Sequence, residues 1–188
     1  IGHPEVEGTA GRVPGGVTVV ETVEQIRSLK FTDSEKLAYV TQTTLSVDDT
    51  KKIIEALKIK YPLIKGPDTR DICYATQNRQ KSVRELAKCS DVVLVLGNKN
   101  SSNSVRLAEI SALTGVPTYR IADKDEINIE LIKEFNVIGI TAGASTPEVL
   151  VKDLINFIKK SFSKNITVEI LDGAEEKVNF KLPELFND

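Results

Sequence analysis

Short runs of β-branched residues alternate along the chain with longer stretches in which apolar positions recur every three or four residues. That alternation predicts strands separated by helices, the pattern of a parallel α/β sheet. Val17 to Val20 reads as a strand. Thr22 follows as the N-cap of a helix carrying Val23, Ile26 and Leu29, with Gln25 placed to complete a capping box. Leu37 to Val40 reads as a second strand. Ser46 caps the next helix, which has Val47, Ile54, Leu57 and Tyr61 on one face and Asp48 and Asp49 in its first turn. Pro62 ends it, and Gly66-Pro67-Asp68, the strongest interior breaker, marks a boundary between two units.

Beyond that breaker the rhythm repeats more clearly. A helix over Thr76 to Lys88 carries Val83, Leu86 and Ala87, and Val92 to Leu96 is a wholly apolar, buried strand. A helix around Leu107, Ile110 and Leu113 leads to a strand at Thr118 to Ile121. A short helix around Leu131 and Phe135 leads to a strand at Val137 to Ile140. Pro147 then opens a long helix with Val151, Leu154, Ile155, Ile158 and Phe162 on its inner side. The expected fold class is α/β, with small open parallel sheets. Ile166 to Leu171 and Val178 to Leu182, joined by Asp172-Gly173, read as a strand pair in the tail. Gly2 to Gly16, rich in Gly and holding Pro4 and Pro14, reads as a loop.

Composition narrows the function. Hydrophobic residues make up 40% of the 188 and charged ones 28%, which suits a packed core rather than disorder. The formal charge of -2 argues against a nucleic-acid partner, which usually meets a net basic surface. The apolar runs are too short to span a membrane. Two cysteines exclude a disulfide-rich secreted scaffold. With no Met and no basic, apolar leader, a chain opening on Ile1 reads as a processed product or an excerpt. The missing leader and unpaired cysteines point to a cytoplasmic protein.

In open parallel sheets ligands bind beyond the carboxyl ends of the strands, where loops enter helices. Those junctions here hold Thr41-Gln42-Thr43-Thr44, then Asn98 to Asn103, then Thr141-Ala142-Gly143-Ala144-Ser145. Short hydroxyl and amide side chains are good helix caps. They also join backbone N–H groups in holding an anion at the positive end of a helix dipole. Three such junctions on one rim raise a phosphate or diphosphate site beside the plain capping role. No P-loop and no GxGxxG run is present, which disfavours a nucleotide. His3, the only histidine, lies with Glu5 in the Gly/Pro segment, and the two could hold an anion and pass a proton. Cys73 precedes a helix, where a thiolate is favoured and suits metal ligation. Cys89, sixteen residues on, fits no zinc spacing and reads as a small buried apolar residue.

Five segments, in order, closely resemble the 4-hydroxy-3-methylbut-2-enyl diphosphate reductase family (IspH, also called LytB). They are Gly2-His3-Pro4-Glu5-Val6-Glu7-Gly8-Thr9, Thr41 to Thr50, Asp71 to Gln80, Asn98 to Ser104 and Thr141 to Ser145. The resemblance runs from Gly2 to about Ile158 and is looser in the tail. It implies removal of an allylic hydroxyl with two electrons and protons, giving isopentenyl and dimethylallyl diphosphates in the last step of non-mevalonate isoprenoid biosynthesis. It also implies three similar α/β lobes around a 4Fe-4S cluster held by one Cys from each lobe, with a small ferredoxin or flavodoxin as electron donor.

By position, Cys73 matches a cluster ligand, Glu5 the proton-supplying acid and Thr43 the hydroxyl that relays the proton. His3, Ser101, Ser102, Asn103 and Ser145 match the diphosphate-binding set. On this reading residues 1–70 are the second lobe without its first strand and helix, 71–164 are the third lobe, and 165–188 are a tail. Two of three thiolate ligands are then absent, so the chain alone is expected to hold no stable cluster and to be inactive. The other class of function left open is a non-catalytic α/β module that binds a small phosphorylated ligand, since a fold alone sets no activity.

Overall fold

The computed structural model describes residues 2–32, 36–162 and 165–173. At its centre is a three-stranded parallel sheet of β1 (Val92–Leu96), β2 (Thr118–Ile121) and β3 (Ile138–Ala142), in the order β2-β1-β3. β1 pairs with β2 from Val93 opposite Thr118 to Leu96 opposite Ile121, and with β3 from Val92 opposite Ile138 to Leu96 opposite Ala142. Every β1 residue is buried, because both faces of the sheet are covered. Val93 and Val95 pack against Val83 and Ala87 of α4 (Tyr74–Lys88) and Leu107 and Ile110 of α5 (Ser102–Ala112). On the opposite face Val92, Leu94 and Leu96 meet Ile132 of α6 (Ile129–Ile132) and Leu154 and Ile158 of α7 (Glu148–Ser161). The expected open parallel α/β unit is therefore present, with an uninterrupted apolar strand as its spine.

The chain leaves β1 into α5 on one face of the sheet and leaves β3 into α7 on the other. Neighbouring strands whose following helices diverge in this way open a crevice at their carboxyl ends. The loop after β1 and the loop after β3 meet in that crevice.

The N-terminal part differs from its expected form. Gly2 to Gly16 is not all loop, since α1 spans Pro4–Ala10 with Pro4 in its first turn and Glu5 and Glu7 following. Pro is preorganised for a helix start and acidic side chains favour the positive dipole end, two signals that outweigh the glycine content. Val17 to Val20 forms no strand, and Leu37 to Val40 contributes one isolated parallel bridge, Ala38 to Lys65. Part of their apolar surface is still turned inward, while Val17 and Val40 are exposed. Val20, Leu37 and Tyr39 pack on Ile26 of α2 (Val23–Ser28) and on Leu57 and Tyr61 at the end of α3 (Val47–Lys60). A period of two is satisfied by burying one side of an extended segment, with or without a ladder. The capping box at Thr22 and the Ser46 cap form as expected. In the tail, Ile166 to Leu171 is not a strand, with Ile170 fully in solvent, and Val178 to Leu182 lies outside the described residues. Among the described residues no helix is long and apolar enough to cross a membrane.

The breaker at Gly66-Pro67-Asp68 is fastened by side chains. Asp68, at φ +58°, accepts from Lys58 Nζ and from Tyr39 Oη at 3.0 Å. The hydrogen bond from Lys58, and then that from Tyr39, holds the Asp68 carboxyl below the usual carboxylate range. A carboxyl lowered on folding stabilises the protein above its unfolded pKa, and that contribution is lost as pH falls through the folded value. Asp68→Asn should therefore melt below the parent at neutral pH and converge with it in acid. Thermal melts across the acid range check this, and a gap that stays constant with pH would refute it.

Candidate functional site

α1 carries the first two candidates to the rim. His3 is its N-cap, with Nδ1 accepting from the Glu5 N–H at 3.2 Å. That bond leaves Nε2 facing outward, and it lies 2.8 Å from Ser102 Oγ, ninety-nine residues away in sequence. Glu5 turns to the other side. Its Oε1 accepts from the Thr43 N–H at 2.9 Å and its Oε2 from Thr43 Oγ1 at 3.4 Å. The Cys73 N–H in turn donates to the Thr43 carbonyl at 3.0 Å. A continuous path of contacts thus runs from Ser102 through His3, Glu5 and Thr43 to Cys73.

Cys73 is the N-cap residue of α4, and it is exposed with no side-chain capping bond. Cysteine is a poor cap, so the helix start is held instead by backbone and by Gln77, whose Nε2 donates to the Ile72 carbonyl at 2.7 Å. Cys89, expected to be buried, is exposed at the other end of α4, its Sγ donating to the Leu86 carbonyl at 3.3 Å. The thiol meets the Glu85 and Leu86 carbonyls of the last helical turn in place of a core position. Fifteen residues of helix put the two thiols about 22 Å apart along the axis.

The β1–α5 and β3–α7 loops close on each other around one hydroxyl. Ser104 Oγ is fully buried and donates to Ser101 Oγ at 3.1 Å, while Ser101 Oγ also accepts from the Ser104 N–H at 3.3 Å as the α5 N-cap. A Cβ on Gly97 would lie 1.8 Å from Ser104 Oγ, and one on Gly143 would lie 2.4 Å from it. Neither loop could approach this closely with a larger residue. Asn103 sits beside them, 7% exposed, and neither its Nδ2 nor its Oδ1 has a hydrogen-bond partner among the described residues. Buried amides are nearly always paired, so this one is left open to a partner beyond the described residues. Ser145 lies on the same rim, exposed in the turn that the Thr146 N–H closes onto the Gly143 carbonyl at 3.0 Å.

The structure therefore joins His3, Glu5, Thr43, Cys73 and Ser102 by direct contacts and sets Ser101 and Asn103 at the start of α5 and Ser145 on the adjoining loop. A cavity of about 270 Å³ opens on the His3–Ser102 side, between Gln42, Thr44, Leu45 and the cations Lys99 and Arg106. Both cations are engaged, Lys99 with Glu126 at 2.8 Å and Arg106 with Glu109 at 2.7 Å. The Glu126 carboxylate holds Lys99 above the usual lysine range.

Residues not singled out from the sequence hold these loops. Gln80, wholly buried, accepts from the Val47 N–H at 3.1 Å and donates to the Leu45 carbonyl at 2.7 Å, fixing the path from Thr43 into α3. Asp71 Oδ2 accepts from the Thr41 N–H at 2.9 Å. A glutamine on the apolar face of α4 was the available signal, because an amide survives there only when both its ends are paired.

Among the described residues no three His, Cys, Asp or Glu side chains gather as a metal site. A cluster of the kind the resemblance implies needs thiolates from several positions, and the rim offers Cys73 alone. The residues present do not complete such a site.

A family model described as LytB protein matches residues 1–159. The chain is 53% identical over 182 residues to 4-hydroxy-3-methylbut-2-enyl diphosphate reductase 2 of Bradyrhizobium diazoefficiens, which covers 97% of the chain and 58% of that protein. It is 52% identical over 182 residues to 4-hydroxy-3-methylbut-2-enyl diphosphate reductase of Zymomonas mobilis, at 97% and 53% coverage. The solved E-1-hydroxy-2-methyl-but-2-enyl-4-diphosphate reductase of Plasmodium falciparum superposes with a TM-score of 0.87 at 36% identity, over 97% of this chain and 57% of that one. The chain spans a little over half the length of the relatives it matches.

Proposed function

The chain belongs to the LytB protein family, and from that membership we propose that its residues form the proton-donating and diphosphate-binding side of the site in a 4-hydroxy-3-methylbut-2-enyl diphosphate reductase. The reaction removes the allylic hydroxyl as water, using two electrons and protons, and yields isopentenyl and dimethylallyl diphosphates. Residues 1–70 and 71–164 act as two lobes facing each other across the rim. The electrons come from a separate small ferredoxin or flavodoxin. Of the three thiolates for an iron–sulfur cluster, Cys73 is the one in this chain, and the others fall to the length of the relatives that it does not span.

The chain's own chemistry follows from the contacts. Protonated at Oε2, the Glu5 carboxyl donates to Thr43 Oγ1, whose own proton passes to the departing hydroxyl. The Thr43 N–H on Oε1 keeps the carboxyl turned toward that relay. The diphosphate lies against the first turn of α5, receiving hydrogen bonds from Ser101, Ser102 and Asn103, with Ser145 and His3 on either side. The dipole of an eleven-residue helix favours the anion there.

The observation that carries this reading is the orphaned Asn103 amide. An unmet buried donor costs about 1–3 kcal/mol, which a ligand oxygen at Nδ2 recovers. Calorimetric titration of the chain with inorganic diphosphate should show binding, about tenfold weaker in Asn103→Leu. Equal affinity of the two proteins would remove Asn103 from the site.

A further inference from the structure

The proposed diphosphate set consists of neutral donors and one histidine, and the two cations beside it, Lys99 and Arg106, are each already paired with a carboxylate. Arg79 of α4 is the side chain placed to supply an uncompensated positive charge. Its Nη1 donates to the carbonyl of Ala142 at 2.9 Å, the last residue of β3 and the one before Gly143-Ala144-Ser145. Its Nε is buried and has no hydrogen-bond partner among the described residues. No carboxylate among the described residues forms an ion pair with it, whereas Arg84, on the same helix, pairs with Asp48 and Arg106 pairs with Glu109.

A half-buried guanidinium with one N–H unmet and no counter-ion is costly unless something else uses its charge. The loop it grips is the one that closes on Asn103. A Cβ on Gly143 would lie 3.7 Å from Asn103 Nδ2, so the Ala142–Gly143 peptide and the orphaned amide border the same space. Two unmet polar groups, on α4 and α5, therefore flank one turn.

We propose that Arg79 is a positioning residue for the anion site: it holds the β3–α7 turn by the Ala142 carbonyl, and its uncompensated charge favours a diphosphate in front of that turn without touching it. The inference rests on the diphosphate reading above and adds to it the source of the positive field. A charge in a partly desolvated position acts over several ångströms more strongly than one in open water. The Ala142 carbonyl fixes where that charge sits.

The test is titration of the full chain with inorganic diphosphate, comparing the parent, Arg79→Lys and Arg79→Met over a range of ionic strength. Lysine keeps the charge and methionine keeps much of the packing. Arg79→Lys should bind within about threefold of the parent, and Arg79→Met about tenfold more weakly. The gap between parent and Arg79→Met should narrow as salt rises, because only the electrostatic share is screened. A purely structural role would leave that gap independent of salt. Should Arg79→Met fail to fold, Arg79→Gln takes its place with the same expectation. Binding by the parent with no loss in the methionine variant overturns the role of Arg79 alone, as does equal weakening by lysine and methionine. No binding by the parent overturns the diphosphate reading beneath it.

Discussion

Cys73→Ser, made in a protein of the relatives' full length, is expected to abolish turnover and lower the iron retained after anaerobic reconstitution, while leaving the melting temperature of the cluster-free protein unchanged or slightly raised. The two halves of that result have separate causes. Cys73 caps α4 without a side-chain hydrogen bond and lies exposed, so removing its sulfur breaks no packing. Serine is among the preferred N-caps and would give the first turn of α4 a partner it now lacks, worth about 0.5–2 kcal/mol against an uncapped start. A serine hydroxyl is a far poorer ligand than a thiolate, since softness and the ready loss of its proton are what suit sulfur to iron. Iron analysis and an activity assay check the first half, and thermal melting the second. Full activity in the serine protein would remove Cys73 from the ligand role. A marked loss of stability in the cluster-free protein would show that the thiol is structural.

Glu5→Gln should bind diphosphate within about threefold of the parent and lose turnover by about 10²–10⁴, the range that a positioned proton donor contributes. Glutamine can still accept from the Thr43 N–H through its carbonyl oxygen, so the loop stays where it is. It cannot hand over a proton at the second position, where Thr43 Oγ1 now meets Oε2. The discriminating measurement is the split between kcat and substrate affinity. A parallel fall in both would assign Glu5 to holding the loop, and unchanged turnover would exclude it as the acid.

The sequence was most readable where burial is two-sided. Val92 to Leu96 could only be an interior strand, and the cores on its two faces follow from its neighbours. The N-terminal unit was less readable because an extended segment and a paired strand share the same alternation. Val17 to Val20 and Leu37 to Val40 satisfied the pattern while lacking a ladder. Glycine counting hid α1, whose Pro4 and early glutamates were the better guide. The rim hydroxyls were visible as helix caps, and one of them, Ser101, is a cap. Ser101 holds the first turn of α5, and His3 holds that of α1. What no local pattern could give is that, among the described residues, Asn103 is buried without a partner, Arg79 has no counter-ion and Gln80 ties α4 to the start of α3. Those depend on how distant segments meet, and Cys89 was misplaced for the same reason.

The 2.8 Å contact between His3 and Ser102 closes a loop of ninety-nine residues. Such a contact carries a high entropic cost during folding, and chains dominated by distant contacts fold slowly. The cores on both faces of the β1 sheet are drawn from residues 83–166 and take nothing from α1. The rim does depend on it, because Glu5 and His3 arrive from the far end of the chain. In refolding, secondary structure should therefore return before the ability to hold diphosphate. The interval between the two would report how late α1 docks.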